Sequence, residues 1–190
     1  MGSQKKKRQH RGRGEAVDRG FIEEFSKCLG QVLNRHPLKP TMTRIELLRT
    51  TVQSKVLYGF LRNPIDIERI KPFVEHSKDC KRRFLNGFFD SEVSVISDGS
   101  IPCFNSDQQF LNYTKRPLSD LGIKTTGLHL RAKKGTPIHD KRKGKPYRLR
   151  KNIYSLYISA RSRQKFYELE GFTMIRKKQR LENHLRSEYK

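Results

Sequence analysis

Acidic side chains are scarce in this sequence: 19 Asp and Glu stand against 42 Lys and Arg, for a formal net charge of +23 and a pI near 10.3. So basic a chain needs a polyanion to sit on, and nucleic acid is the commonest one. Long apolar runs are missing too. No stretch approaches 18 apolar residues and no basic amphipathic helix dominates, which leaves an acidic membrane surface as the lesser reading. Cysteines number three, Cys28, Cys80 and Cys103. They are odd in number and widely spaced, which supports neither a disulfide framework nor a CxxC metal knuckle and predicts a reducing, intracellular, cytoplasmic setting. The N-terminus has no apolar core of a signal peptide, and Lys6 stands where a myristoylation signal needs Ser or Thr. With no Gly-rich phosphate loop and no nucleophile elbow, nucleotide hydrolysis and serine chemistry have no support. His10, His36, His76, His129, His139 and His184 show no ligand spacing with cysteine and read as surface or groove residues.

What is present suits one domain or two small ones. The 190 residues are 34% hydrophobic and 32% charged, polar for a globular protein but not a disordered composition. Residues 1–14 carry Lys5, Lys6, Lys7, Arg8, Arg11 and Arg13 with no acid, and read as a basic disordered tail. From Glu15 a helix is expected, with Phe21, Ile22, Phe25, Leu29 and Val32 at helical spacing. A strand over Arg44–Val52 and a helix capped by Ser54 follow. Beyond residue 77 the order is helix, two strands, helix, two strands, helices. The strands are Val93–Asp98, Ile101–Asn105, Ile123–Ala132 and Ile153–Arg161. The helix after Asn105 is capped by Ser106 or Asp107 and should kink at Pro117. The closing helices are Arg163–Glu170 and Ile175–Glu188. The class is α+β, and residues 15–76 resemble the back half of the unit at 77–190, without its leading helix and first hairpin.

The most informative stretch is Lys81–Val93. Ser77 is a candidate N-cap for its helix. Phe84, Gly87 and Phe88 fall at i, i+3, i+4, and Gly87 costs about 1 kcal/mol against Ala, so it predicts close approach of a second helix at this interface. The helix then ends in Asp90 and Glu92 before the strand-like Val93-Ser94-Val95-Ile96. A solvated acidic helix end is the plain reading of that pair.

Leu85-Asn86-Gly87-Phe88-Phe89-Asp90-Ser91-Glu92-Val93 resembles the nine-residue signature of the LAGLIDADG homing endonucleases, of the archaeal intron and intein type. Further agreements are Leu121-Gly122-Ile123, Tyr154-Ser155-Leu156-Tyr157-Ile158, Glu170-Gly171-Phe172 leading to Arg176-Lys177-Lys178, and Ser54–Tyr58 with Ile70–Phe73 upstream. The resemblance implies an αββαββα unit with an antiparallel DNA-binding sheet at 77–190, preceded by an N-terminally truncated copy at 15–76. It implies site-specific cleavage of double-stranded DNA by Mg²⁺-dependent phosphodiester hydrolysis, in a prokaryotic or archaeal host. Glu92 falls on the metal-binding position, with Asp90 a secondary acid that also reads as structural at the helix end, and Arg176, Lys177 and Lys178 fall where the family supplies a cation near the scissile phosphate. The sequence does not single out which of the three serves. Val93 replaces the signature's last Gly, a change compatible with the fold only if its backbone angles are ordinary.

One motif is visible where single-chain members carry two. The resemblance therefore implies a homodimer or a separately encoded second half, or else a non-cleaving descendant such as an intron RNA maturase or a degenerate endonuclease. The segment 131–151 holds ten basic residues against Asp140 alone. Arg131, Lys133, Lys134, Lys141, Arg142, Lys143, Arg148, Arg150 and Lys151 are expected along the DNA backbone, with His129, Tyr157 and Ser159 beside them on the outer strand faces.

Overall fold

The structure, a computed structural model, describes residues 10–61, 64–140, 144–169 and 171–188. It divides into two units, Met1–Asp66 and Ile67–Lys190.

Unit 1 runs β1 (Arg11–Ala16), α1 (Arg19–Val32), β2 (Thr41–Met42), β3 (Leu48–Gln53) and α2 (Lys55–Leu61). The strands make an antiparallel sheet in the order β1-β3-β2, with β1 in register from Arg11↔Gln53 to Ala16↔Leu48. Residues 11–14, expected as tail, are thus strand. The reason lies in their alternation. Arg11, Arg13 and Glu15 are exposed, and Gly12, Gly14 and Ala16 turn inward. A Cβ on Gly14 would stand 2.5 Å from Phe25 of α1, so only a residue without one lets the helix lie this close. The helix starts at Arg19 instead of Glu15 because the Asp18 carboxylate accepts from Phe21 N at 3.1 Å. Ser54 caps α2 as expected, accepting from Leu57 N at 3.1 Å.

Unit 2 begins ten residues earlier than the sequence suggested, with α3 (Ile67–Val74). α3 packs on the helix that follows it. Glu75 just beyond α3 pairs with Arg116 at 3.2 Å and accepts from Tyr113 Oη at 3.3 Å. Then come α4 (Lys78–Glu92), β4 (Pro102–Asn105), α5 (Gln108–Asp120), β5 (His129–Ala132), β6 (Pro137–Asp140), β7 (Lys145–Arg148), β8 (Ile153–Tyr157), a 3-10 turn, α6 (Arg163–Glu168) and α7 (Ile175–Glu188). The main sheet is antiparallel in the order β4-β8-β5, and β6–β7 is a separate two-stranded ribbon. First strand, last strand, middle strand: unit 1 has the same order.

Two expected strands of unit 2 shrink most, and the last, Ile153–Arg161, ends at Tyr157. Val93–Asp98 keeps an alternation, with Val93 and Val95 buried and Ser94 and Ile96 outside, but its ladder is a single bridge, Val93↔Cys103. The return at Gly99, φ +70°, closes too soon for more pairing. Ile123–Ala132 becomes strand only from His129, after a bridge at Thr125↔Ile158. α5, capped by Asp107, runs through Pro117 without a break. Aromatic rings from three helices fill the core: Phe89 of α4 meets Phe166 of α6 at 4.7 Å, and Phe88 meets Phe110 of α5 at 5.6 Å.

Candidate functional site

α4 carries the site. Ser77 caps its first turn by accepting from Cys80 N, and Asp79 in that turn suits the positive end of the helix dipole. Leu85, Phe88 and Phe89 bury one face. The helix gives way at Val93, whose φ of −118° and ψ of 149° are ordinary extended values. The missing glycine is therefore no obstacle, since a β-branched residue adopts those angles without strain.

Asp90 is 6% exposed and fully engaged. Its carboxylate accepts from Thr173 N at 3.1 and 3.2 Å, from Met174 N at 3.3 Å and from Thr173 Oγ1. These donors lie just ahead of α7, so Asp90 acts as an N-cap from another helix and places its charge at the positive end of the α7 dipole. Lys177, 9% exposed, reaches back from the first turn of α7. Its Nζ donates to Phe89 O at 3.1 Å and to Asp90 O, two of the last carbonyls of α4. Each helix thus caps the other, and together they fix the direction in which α4 releases Glu92. The pairing separates the four expected catalytic side chains, Glu92, Asp90, Lys177 and Lys178. Asp90 and Lys177 are spent on this lock, and Lys178 lies over the Tyr167 ring at 5.9 Å. Thr173 was not anticipated: it lies two residues before α7 and its hydroxyl donates to Asp90, a distant partner that no local capping pattern announces.

Glu92 alone points away from the lock, exposed to solvent. Partial desolvation by the surrounding protein raises its pKa above the usual carboxylate value, and the nearby Lys177 charge opposes that rise. Among the described residues no three His, Cys, Asp or Glu side chains gather as a metal-binding group. A single free carboxylate still fits Mg²⁺, which keeps several waters and commonly takes only one or two carboxylates alongside phosphate oxygens.

The interface face needs correction. Phe84 and Phe88 do not share an open face with Gly87. They pack inside unit 2, Phe84 edge-on to Phe110 and Tyr113, both at 6.0 Å. With 3.6 residues per turn, Gly87 lies on the outer side with Arg83 and Ser91, all exposed. A Cβ on Gly87 would meet nothing within 4 Å. Gly87→Ala is therefore expected to stabilise the isolated chain by about 1 kcal/mol, read as a higher urea midpoint at unchanged slope.

The basic surface is outside the core as expected. His129, Arg131, Lys133, Lys134, Arg148, Arg150 and Lys151 are exposed, on β5, on the ribbon and on the turns joining them to β8. Lys141, Arg142 and Lys143 lie outside the described residues. Ser159 departs from expectation: its Oγ is buried, at the start of the 3-10 turn. Tyr157 is half-buried, edge-on to Phe104 at 6.3 Å, because β8 is the central strand and its neighbours flank it on both sides.

Residues 79–171 match the family profile described as a LAGLIDADG-like domain. Solved structures agree on the fold. The homing endonuclease I-DmoI, as mesophilic variants, superposes with a TM-score of 0.60 at 23% identity, over 92% of this chain and 83% of that one. I-DmoI in complex with DNA and Ca gives 0.60 at 22% over the same shares. Full-length DUF199/WhiA from Thermatoga maritima gives 0.54 at 16%, over 95% of this chain and 53% of its own. No curated protein sequence matches. Unit 2 therefore contains a LAGLIDADG-like domain, in the α+β fold of a homing endonuclease. No helix among the described residues is long and apolar enough to cross a membrane.

Proposed function

We propose that this chain is a site-specific DNA endonuclease, or half of one, that cuts double-stranded DNA by Mg²⁺-dependent phosphodiester hydrolysis. The observation carrying the reading is the lock between α4 and α7, which leaves Glu92 as the free acid at the signature's metal position. Glu92 would hold the metal together with DNA phosphate oxygens. The metal would polarise the scissile phosphate and supply an activated water. The complexes of I-DmoI with DNA and Ca, Mn or Mg support a divalent ion by analogy. Asp90 and Lys177 hold Glu92 in place and do not act on the phosphate. A two-strand cut needs a second acid. The open Gly87–Ser91 side of α4 suits a second helix that brings one, from a second copy of this chain or from a separately encoded half.

The test is purified protein with Mg²⁺ and a supercoiled plasmid carrying its genomic insertion site. Nicked or linear product is the expected result, and binding without any nicking would sink the reading. That second outcome would favour a non-cleaving descendant such as an intron RNA maturase, which the lone free acid at the end of α4 also suits.

Binding itself should be steeply salt-dependent. If the ribbon and β5 contact six to ten phosphates, affinity should fall by roughly 10³–10⁵ between 50 and 200 mM salt. Changing Arg131, Lys133 and Lys134 together to Gln should flatten the log–log slope by about one unit for each phosphate left without its cation, as measured by fluorescence anisotropy. An unchanged slope would remove these residues from the backbone interface.

A further inference from the structure

We propose that the outward face of the unit 2 sheet binds unpaired nucleic-acid bases by stacking, so that this unit takes up a single strand and not a duplex alone. The strand register shows which side chains stand on that face. Opposite residues of an antiparallel pair share a face, and successive residues alternate between the two. Cys103 and Leu156 stand opposite each other and are fully buried, on the side where α4 and α5 pack. The adjoining rows therefore turn outward: Pro102 with Tyr157, and Phe104 with Ser155 and then His129. Phe104, Tyr157 and His129 bring flat rings to this face, one from each strand of the sheet. Phe104 is 36% exposed, His129 is exposed and Tyr157 is half-buried. Pro102 and Ser155, the smaller residues of the same rows, are buried, so the rings make up the surface there.

Rings set among cations suit one ligand chemistry. A net charge of +23 favours a polyanion. Exposed Lys124 lies at the Ile158 end of β8, and exposed Arg131, Lys133 and Arg150 lie toward the Ile153 end. Phosphates on either side of bases resting on the rings would meet these charges. A duplex hides the faces of its bases in its own stack and offers their edges, which long hydrogen-bonding side chains read. This face is poor in such readers: Ser155 is buried and Phe104 has no polar atom to offer. Flat rings act on base faces instead, and an unpaired strand exposes those. Phe104 and Tyr157 sit edge-on, 6.3 Å between centroids and 82° apart, so each limits the other's rotamers before a base arrives. Stacking is tolerant of sequence, and the ligand class is a strand of unpaired bases, in DNA or in RNA. The inference goes beyond the nuclease reading, needs neither metal nor cleavage, and survives if that reading fails.

Fluorescence anisotropy on the full chain tests it, without Mg²⁺. The probes are a labelled single strand of about 12 nucleotides in DNA and in RNA form, its abasic counterparts, and the matching duplex. An abasic strand keeps the phosphates and loses the bases, so it isolates charge from stacking. At one salt concentration the base-bearing strand should bind at least about tenfold more tightly than its abasic counterpart. Phe104→Leu and Tyr157→Leu should each weaken the base-bearing strand roughly 5–150-fold and leave the abasic strand unchanged. Tyr157→Phe keeps the ring and should keep the affinity. An advantage for bases in the DNA form, the RNA form or both supports the proposal and identifies the source of the strand. Three results overturn it. The abasic strands bind as tightly as the base-bearing ones in both forms; the Leu variants weaken every probe alike; or their loss is confined to the duplex. The abasic comparison needs no variant, so it decides the matter even where a Leu variant fails to fold.

Discussion

Asp90→Ala will cost unit 2 about 3–5 kcal/mol of stability, even though the residue faces no ligand, because it strips the acceptor from a buried helix junction. Three donors, Thr173 N, Thr173 Oγ1 and Met174 N, lose their partner in a place where Asp90 is 6% exposed. The buried donor, Met174 N, left unmatched costs roughly 1–3 kcal/mol, the two on the exposed Thr173 can turn to water, and α7 loses a charge from its positive end as well. A loss of that size is a large fraction of the about 5–15 kcal/mol that holds a typical domain together. Asp90→Asn keeps one carbonyl acceptor and should lose about half as much. Urea unfolding of the two variants decides the matter. If both unfold like the parent protein while cleavage is lost, Asp90 belongs to the chemistry and not to the lock between the helices.

Glu92→Gln should do the reverse. Removing the one free carboxylate at the end of α4 is expected to reduce cleavage at least about a hundredfold, since even outer-shell partners of a metal are commonly worth 10–100-fold. Folding and DNA binding should be retained. Stability should not fall, and the sign follows from linkage. Desolvation, the larger influence on Glu92, raises its folded pKa above the unfolded 4.5. Between those two values the folded state binds more protons, so stability declines as pH rises through that window, and the ionised group above it is a net cost. The Gln variant should lack that decline. Plasmid cleavage, anisotropy and urea unfolding at about pH 4.5 and 7 would separate the effects. A Gln variant that still cuts at the parental rate would remove Glu92 from the site.

Much of this arrangement could be read from the residues alone, where local chemistry decides. Ser77, Asp107 and Ser54 announced their helices, and α7 runs from Ile175 to Glu188 as its pattern predicts. The first strand hid because its alternation is charged against small instead of polar against apolar. Gly12 and Gly14 look like tail residues until Phe25 is seen lying on the second of them. Gly87 reads as the centre of a face formed with Phe84 and Phe88, a spacing that three residues suggest and a full helical turn separates. The roles of Asp90 and Lys177 are beyond local reading for a different reason. Their partners lie more than 80 residues away in the chain, and an acid and a lysine beside a signature look catalytic until their hydrogen bonds are traced.

That separation also sets an order of events in time. The end of α4 that bears Glu92 is held by hydrogen bonds reaching 83–88 residues forward, into the last helix described. Bonds so distant form only after the intervening chain exists, and they close late because the loop they fix is long. A chain emerging from the ribosome will carry the β6–β7 ribbon before α7 has arrived to hold the end of α4. A product cut short ahead of α7 would keep the ribbon and lose the bonds that fix the end of α4.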